Sequence, residues 1–147
     1  MCPRILFIGL AVSLAPAGCR TASEEALAAP IARIEGFGFS GNTGRIAFSF
    51  TNPNSVPLVV SSSFHTLSLG SKSIGIIDDE EPIGLPPMGT VAHTVALTPK
   101  IAQAAQGYLS KNPGQNHASV TSALQVILAA DDYLTLKSTS SGPVNYP

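Results

Sequence analysis

The 147-residue chain is poor in charge: 8 Lys+Arg stand against 9 Asp+Glu, and charged residues make up 12% of the whole. Without a basic excess there is no electrostatic footprint for nucleic acid, and no such partner is expected. So few charges exclude a long solvated helix or coiled coil, while 44% hydrophobic residues exclude a disordered chain. Cysteine is scarce, with only Cys2 and Cys19, and tryptophan is absent. Long apolar runs are missing too. The most continuous, Ile5 to Ala15, has about half the roughly 20 residues that an apolar helix needs to cross a bilayer. Plentiful instead are 13 Gly and 12 Pro, the composition of a turn-rich globular fold.

Arg4 followed by the short run from Ile5 reads as the h-region of a signal peptide, and Pro16-Ala17-Gly18 supplies the small residues that a signal peptidase accommodates. Ending in Cys19, this stretch resembles the lipobox of bacterial lipoproteins, with Pro16 where that family favours Leu. The resemblance implies that residues 1–18 are removed, that the Cys19 thiol is diacylated, and that its new amino group is acylated. Cys2 departs with the leader, so the mature chain can form no internal disulfide. At ~0.8 kcal/mol per buried CH₂, two or three acyl chains hold the protein on a lipid bilayer. Simple secretion with a free thiol is the alternative. Arg20 rather than Asp after the cysteine implies, by likeness to lipoprotein sorting in double-membraned bacteria, a cell-envelope protein on the outer membrane facing the periplasm. Residues 19–29, small and polar, then form a tether, residues 30–144 the folded domain, and residues 145–147 a tail.

From Pro30 onward, short β-type segments alternate with Gly, Pro and Asn, as in an antiparallel sandwich or barrel. Ile31 to Phe37 is the first strand, and Gly41-Asn42-Thr43-Gly44 turns it into Arg45–Thr51, where Ile46, Phe48 and Phe50 share one face. Asn52-Pro53-Asn54 ends that strand, because Pro53 has no N–H to donate and Asn54 tolerates turn geometry. Val56 to Val60, Phe64 to Leu69 and Ile74 to Ile77 follow as strands, the last two as a hairpin. Asp78 to Gly89 reads as a polar, proline-rich loop, and Thr90 to Leu97 as a long strand carrying Val91, His93, Val95 and Leu97 on one side. Thr98 and Pro99 suit the cap and first position of a helix running to Ser110, with Ile101, Ala104, Ala105, Tyr108 and Leu109 on its apolar face. Ser119 to Ala130 fits a strand by parity, although its alanines and leucines also suit a helix. Asp131-Asp132 is a turn, Tyr133 to Lys137 the partner strand, and Ser138 to Pro147 a polar end segment.

The run Phe50-Thr51-Asn52-Pro53-Asn54-Ser55-Val56-Pro57-Leu58, followed by Phe64 to Gly70, Ile74-Gly75 and Leu85-Pro86-Pro87, resembles the late embryogenesis abundant group 2 (LEA type 2) proteins and their water stress and hypersensitive response (WHy) domain. The likeness spans Ile31 to Val144, and it departs from the family at Phe64 and His65, where a Tyr is common. It implies an all-β, antiparallel, fibronectin III-like sandwich of about seven strands with one helix inserted late in the chain. Asn52, Pro53 and Asn54 are then a structural turn, a corner by which the chain leaves one sheet for the other.

No catalytic, cofactor or metal site is expected. Gly36-Phe37-Gly38-Phe39-Ser40-Gly41 matches a dinucleotide fingerprint, yet the strand alternation after it leaves no helix N-terminus to meet a pyrophosphate. His65, His93 and His117 lack the short spacings of a metal face, and His93 suits a hydrogen-bonded place at the rim of the core. Asp78-Asp79-Glu80-Glu81 lacks the spaced ligands of a calcium loop, and no hydrolase motif surrounds any serine. The resemblance implies a non-catalytic, membrane-anchored protein that shields membranes or client proteins by weak surface contacts during drying, freezing or other stress. The alternative is an envelope binding module, taking an apolar ligand near Phe37, Phe48, Phe50 and Phe64 or a protein partner at a strand edge.

Overall fold

The structure, a computed structural model, describes residues 26–128 and 132–146. Residues 1–25, where a signal peptide, an acylated Cys19 and the start of a tether are expected, lie outside the described residues, as do residues 129–131 and the terminal Pro147.

Eight strands and one helix make up the described chain: β1 Ile31–Ser40, β2 Thr43–Thr51, β3 Leu58–Leu69, β4 Lys72–Asp79, β5 Ile83–Leu85, β6 Thr90–Leu97, α1 Pro99–Lys111, β7 His117–Ile127 and β8 Tyr133–Pro143. They form an antiparallel β-sandwich. One sheet has the order β1-β2-β6; the other runs β4-β3-β7-β8, with β5 paired to β3 beside β4. Ile46, Phe48 and Phe50, which alternate in β2, are wholly buried between the sheets with Phe37, Leu67, Leu69, Val120 and Leu124. Phe48 and Phe50 stack with ring centres 5.4 Å apart.

Two segments separated in the sequence pattern are one strand. A bulge between Val60 and Ser62 inserts a residue into β3, so buried positions pass from even (Leu58, Val60) to odd (Ser63, His65, Leu67, Leu69). That change of parity breaks the alternation and makes β3 look like two strands with a gap. Phe64 consequently points outward, 36% exposed, and is no part of the core. The eighth strand, β5, lies in the stretch that reads as a loop; Ile83 and Leu85 are buried opposite Val60 and Leu58, but three residues are too few to show a period.

The polar end segment is also corrected. Ser138, Ser140 and Gly142 continue β8, and these small residues are what lets β1 approach it. A Cβ on Gly142 would lie 2.9 Å from Cβ of Ile34, and Ser138 Oγ accepts from Ala32 N–H at 3.0 Å. Asn145 N–H donates to the carbonyl of Phe37 at 2.8 Å, so this edge of the sandwich is stitched shut. Between Ser119 and Ile127 the chain is strand, with Val120, Leu124 and Val126 inward. The helix begins where expected: Thr98 Oγ1 accepts from Ile101 N–H at 3.4 Å, and Pro99 occupies the first turn. Its buried face is Ile101, Ala102, Ala105 and Leu109, with Ala102 where Ala104 was expected, and it rests on β2 and β6 of one sheet and β4 of the other.

The register gives the sandwich two distinct ends. At one, β1 starts opposite the last residue of β2, Thr51 pairs with Thr90, Val60 with Val126, and Ile127 with Tyr133. The β2–β3, β5–β6 and β7–β8 connections therefore gather where the chain enters β1. The other end carries the β1–β2 and β3–β4 hairpin turns, with α1 held over it by Gln106 Nε2 donating to the carbonyl of Gly41 at 2.7 Å.

Candidate functional site

At Asn52-Pro53-Asn54 the chain leaves the three-stranded sheet after Thr51 and enters the other sheet at Leu58. Asn52 has no exposed surface. Its side-chain amide donates to the carbonyls of Val56, Pro86 and Leu85 at 2.9, 3.1 and 3.2 Å, sharing two hydrogens among three acceptors. Its Oδ1 accepts from the backbone N–H and the Nδ2 of Asn54 at 2.9 and 2.8 Å, and its own backbone N–H reaches the carbonyl of Gly89 at 2.9 Å. One side chain thereby satisfies carbonyls of the β2–β3 and β5–β6 connections together with that of Leu85 at the end of β5. Asn54 completes the corner by pairing with the segment before β1: Ala28 N–H donates to its Oδ1 at 2.8 Å, and its Nδ2 donates to the Ala28 carbonyl at 2.9 Å. The opposing turn is drawn in by Met88 N–H bonding the Asn54 carbonyl at 3.0 Å, with Met88 itself in the left-handed region at φ +53°.

A second buried polar group lies in the centre of the core. His65 has no exposed surface; its Nε2 is 2.9 Å from Ser63 Oγ and its Nδ1 2.8 Å from Ser122 Oγ, and its ring stacks on Phe48 at 5.1 Å. Burial pushes its pKa down to about 4, against a smaller raising influence of Asp79 and a further lowering by His93. It is a neutral imidazole at neutral pH, with one ring nitrogen donating and the other accepting. Ser63 and His65 have the spacing of a nucleophile and its base, but both are sealed between the sheets, as is Ser122, and a substrate has no way in.

His93 sits at the core's rim, where its Nε2 bonds Asp79 Oδ2 and links β6 of one sheet to β4 of the other. With Glu81 these two bring one ligand atom each to within 4.8 Å of one another, a His, Asp, Glu donor set suited to a divalent cation. The spacing rule missed this trio because Asp79 and His93 belong to different sheets. His117 opens β7 on the surface, and Glu80 and Glu81 are exposed. Gly36 to Ser40 form β1 up to a left-handed Gly41, leaving no helix for a nucleotide. Cys19 falls outside the described residues.

Phe37, Phe48 and Phe50 are at most 1% exposed, so the space considered for an apolar ligand between the sheets is occupied by their own rings. The residue that the sequence patterns did not single out is Ser122, whose hydroxyl completes the His65 cluster from the neighbouring strand. Its inward parity was visible, but its partner depended on the pairing of His65 with Ser122 across β3 and β7.

No family model and no curated protein matches the sequence. Solved structures do. The chain superimposes on AT1g01470 from Arabidopsis thaliana with a TM-score of 0.56 at 15% identity, covering 83% of this chain and 87% of that one. It superimposes on the late embryogenesis abundant (LEA) protein At2g46140.1 with a TM-score of 0.51 at 19% identity, covering 80% of this chain and 71% of that one. The sandwich is therefore similar in fold to an LEA protein.

Proposed function

We propose that this chain is a non-catalytic LEA type 2 protein held on a bacterial envelope membrane by an acylated Cys19, and that it protects nearby membranes or proteins during water stress. The observation that carries the reading is the LEA-like sandwich with a filled interior. Such a body acts by its surface, and weak, nonspecific contacts with clients need neither a pocket nor a reacting group. Support for the anchor itself is the small-residue stretch ending in Cys19.

Two measurements test the two halves. The intact mass of the mature protein from its native host should equal the chain from Cys19 plus acyl groups; a soluble product with a free thiol overturns the anchor. A labile enzyme taken through freeze–thaw or drying beside the protein should keep more activity than beside an equal mass of an inert protein. Equal survival overturns the protective role.

A further inference from the structure

We propose that the end of the sandwich from which the tether leaves is a membrane-seating surface, with its exposed apolar rim entering the headgroup layer of the bilayer. The lipid occupant rests on the anchored reading above. Among the described residues, the large apolar side chains left exposed are concentrated there: Ile31, Val56, Val59, Met88, Ile127 and Tyr133 belong to this end, whereas only Phe64, Ile76 and Tyr146 lie elsewhere. Met88 is 70% and Tyr133 62% exposed, a large apolar outlay at one end of a small domain.

The backbone adds a second observation. Met88 is the only residue other than glycine with a positive φ among the described residues, and it holds an apolar side chain out into solvent from a turn pinned by Gly89 N–H to the Pro86 carbonyl at 3.1 Å. Packing within the domain supplies no reason for methionine at a position that glycine fits better. Beside it runs an open groove lined by Ala26, Leu27, Ala28, Pro53, Val56 and Met88, without a charged side chain. Tyr133, apolar with a polar tip and next to the charge of Asp132, suits headgroup depth rather than acyl depth.

Chain length identifies the occupant. Nine residue steps separate Cys19 from Ala28, a reach of at most about 32 Å when fully extended, and the Asn54 clamp on Ala28 fixes where that reach begins. Acyl chains on Cys19 therefore bring this end, and not the polar end with Asn42, Ser71, Asn112 and Gln115, against the lipid. A rim of scattered apolar residues around a strand end, added to an acyl anchor, restrains the body's orientation as well as its distance from the membrane.

The absence of native tryptophan makes the test direct. In the full-length protein, Met88→Trp, Val56→Trp and, as an exposed control away from the rim, Ile76→Trp each create the chain's single tryptophan. Each is mixed with phosphatidylethanolamine/phosphatidylglycerol vesicles containing brominated lipid, and the acylation state is read from the intact mass of the same sample. The expected result is a blue shift and strong quenching at positions 88 and 56 and an unchanged, water-like emission at 76. Acylated protein with all three positions alike overturns the seating surface and leaves the anchor standing. Unacylated protein that still shifts at 88 and 56 keeps the surface and overturns the anchor, and unacylated protein with no shift overturns both. Met88→Glu combined with Val56→Glu should abolish the quenching of a tryptophan placed at Tyr133; persistent quenching counts against the proposal.

Discussion

Asn52 and His65 are both polar, both without exposed surface, and only 13 positions apart, yet they stabilise the sandwich in opposite ways. Asn52 serves the backbone: its amide bonds the carbonyls of Val56 in the β2–β3 connection, Pro86 in the β5–β6 connection and Leu85 at the end of β5. His65 serves only side chains, two serine hydroxyls contributed by β3 and β7. A polar residue that completes the backbone is determined by the path of the chain. One that completes a side-chain cluster depends on which strands happen to be neighbours, and it brings a titration with it.

The sharpest way to break the comparison is Asn52→Asp, which removes the amide donor and sets a carboxylate against three carbonyl oxygens. Destabilisation on the order of 4 kcal/mol is expected from urea unfolding at neutral pH; a loss below about 1 kcal/mol would show that the corner does not rest on that amide. Next is pH. Unfolded His65 takes up a proton near 6.5, whereas the folded protein resists it until about 4. Its contribution is therefore complete above pH 6.5, is lost as pH falls through the window to 4, and is flat below, a change of about 3 kcal/mol. His65→Gln, which keeps a donor and an acceptor without titrating, should flatten the urea midpoint between pH 7 and 4.5 relative to the parent; an unaltered slope would assign the acid sensitivity to other groups.

Smaller effects sharpen the corner side. Asn54→Ala deletes the two bonds to Ala28 and the Nδ2 donation to Asn52 Oδ1 at a partly exposed site, for a loss of about 2 kcal/mol. Amide exchange at Ala28 should accelerate while that of Leu67 in the core stays slow. Met88→Gly relieves the left-handed backbone and should raise stability by up to about 1 kcal/mol, seen as a higher melting temperature. No gain would mean that the turn relaxes without help from glycine.

The corner was legible because its signal is local. Asn-Pro-Asn stops a strand by the chemistry of three consecutive residues, and the alternation of Ile46, Phe48 and Phe50 marks a buried face without knowledge of any partner. The His65 cluster and the Asp79, Glu81 and His93 trio were not legible, since each joins residues from different strands. Phe64 and His65 show the same limit within one strand: the bulge after Val60 decides which of them faces inward. In β8, Ser138 and Gly142 looked like a polar end because smallness reads as loop unless a strand packs as closely as β1 does here.

The order of amino acids determined the antiparallel β class, the corner at Asn52, the cap at Thr98 and the buried face of β2, all of which depend on neighbours a few positions apart. Tertiary structure alone decided the eighth strand, the inward turn of His65 with its suppressed protonation, and the gathering of exposed apolar residues at the end where β1 begins. Those follow from register and sheet pairing, which bring together residues that no local pattern connects.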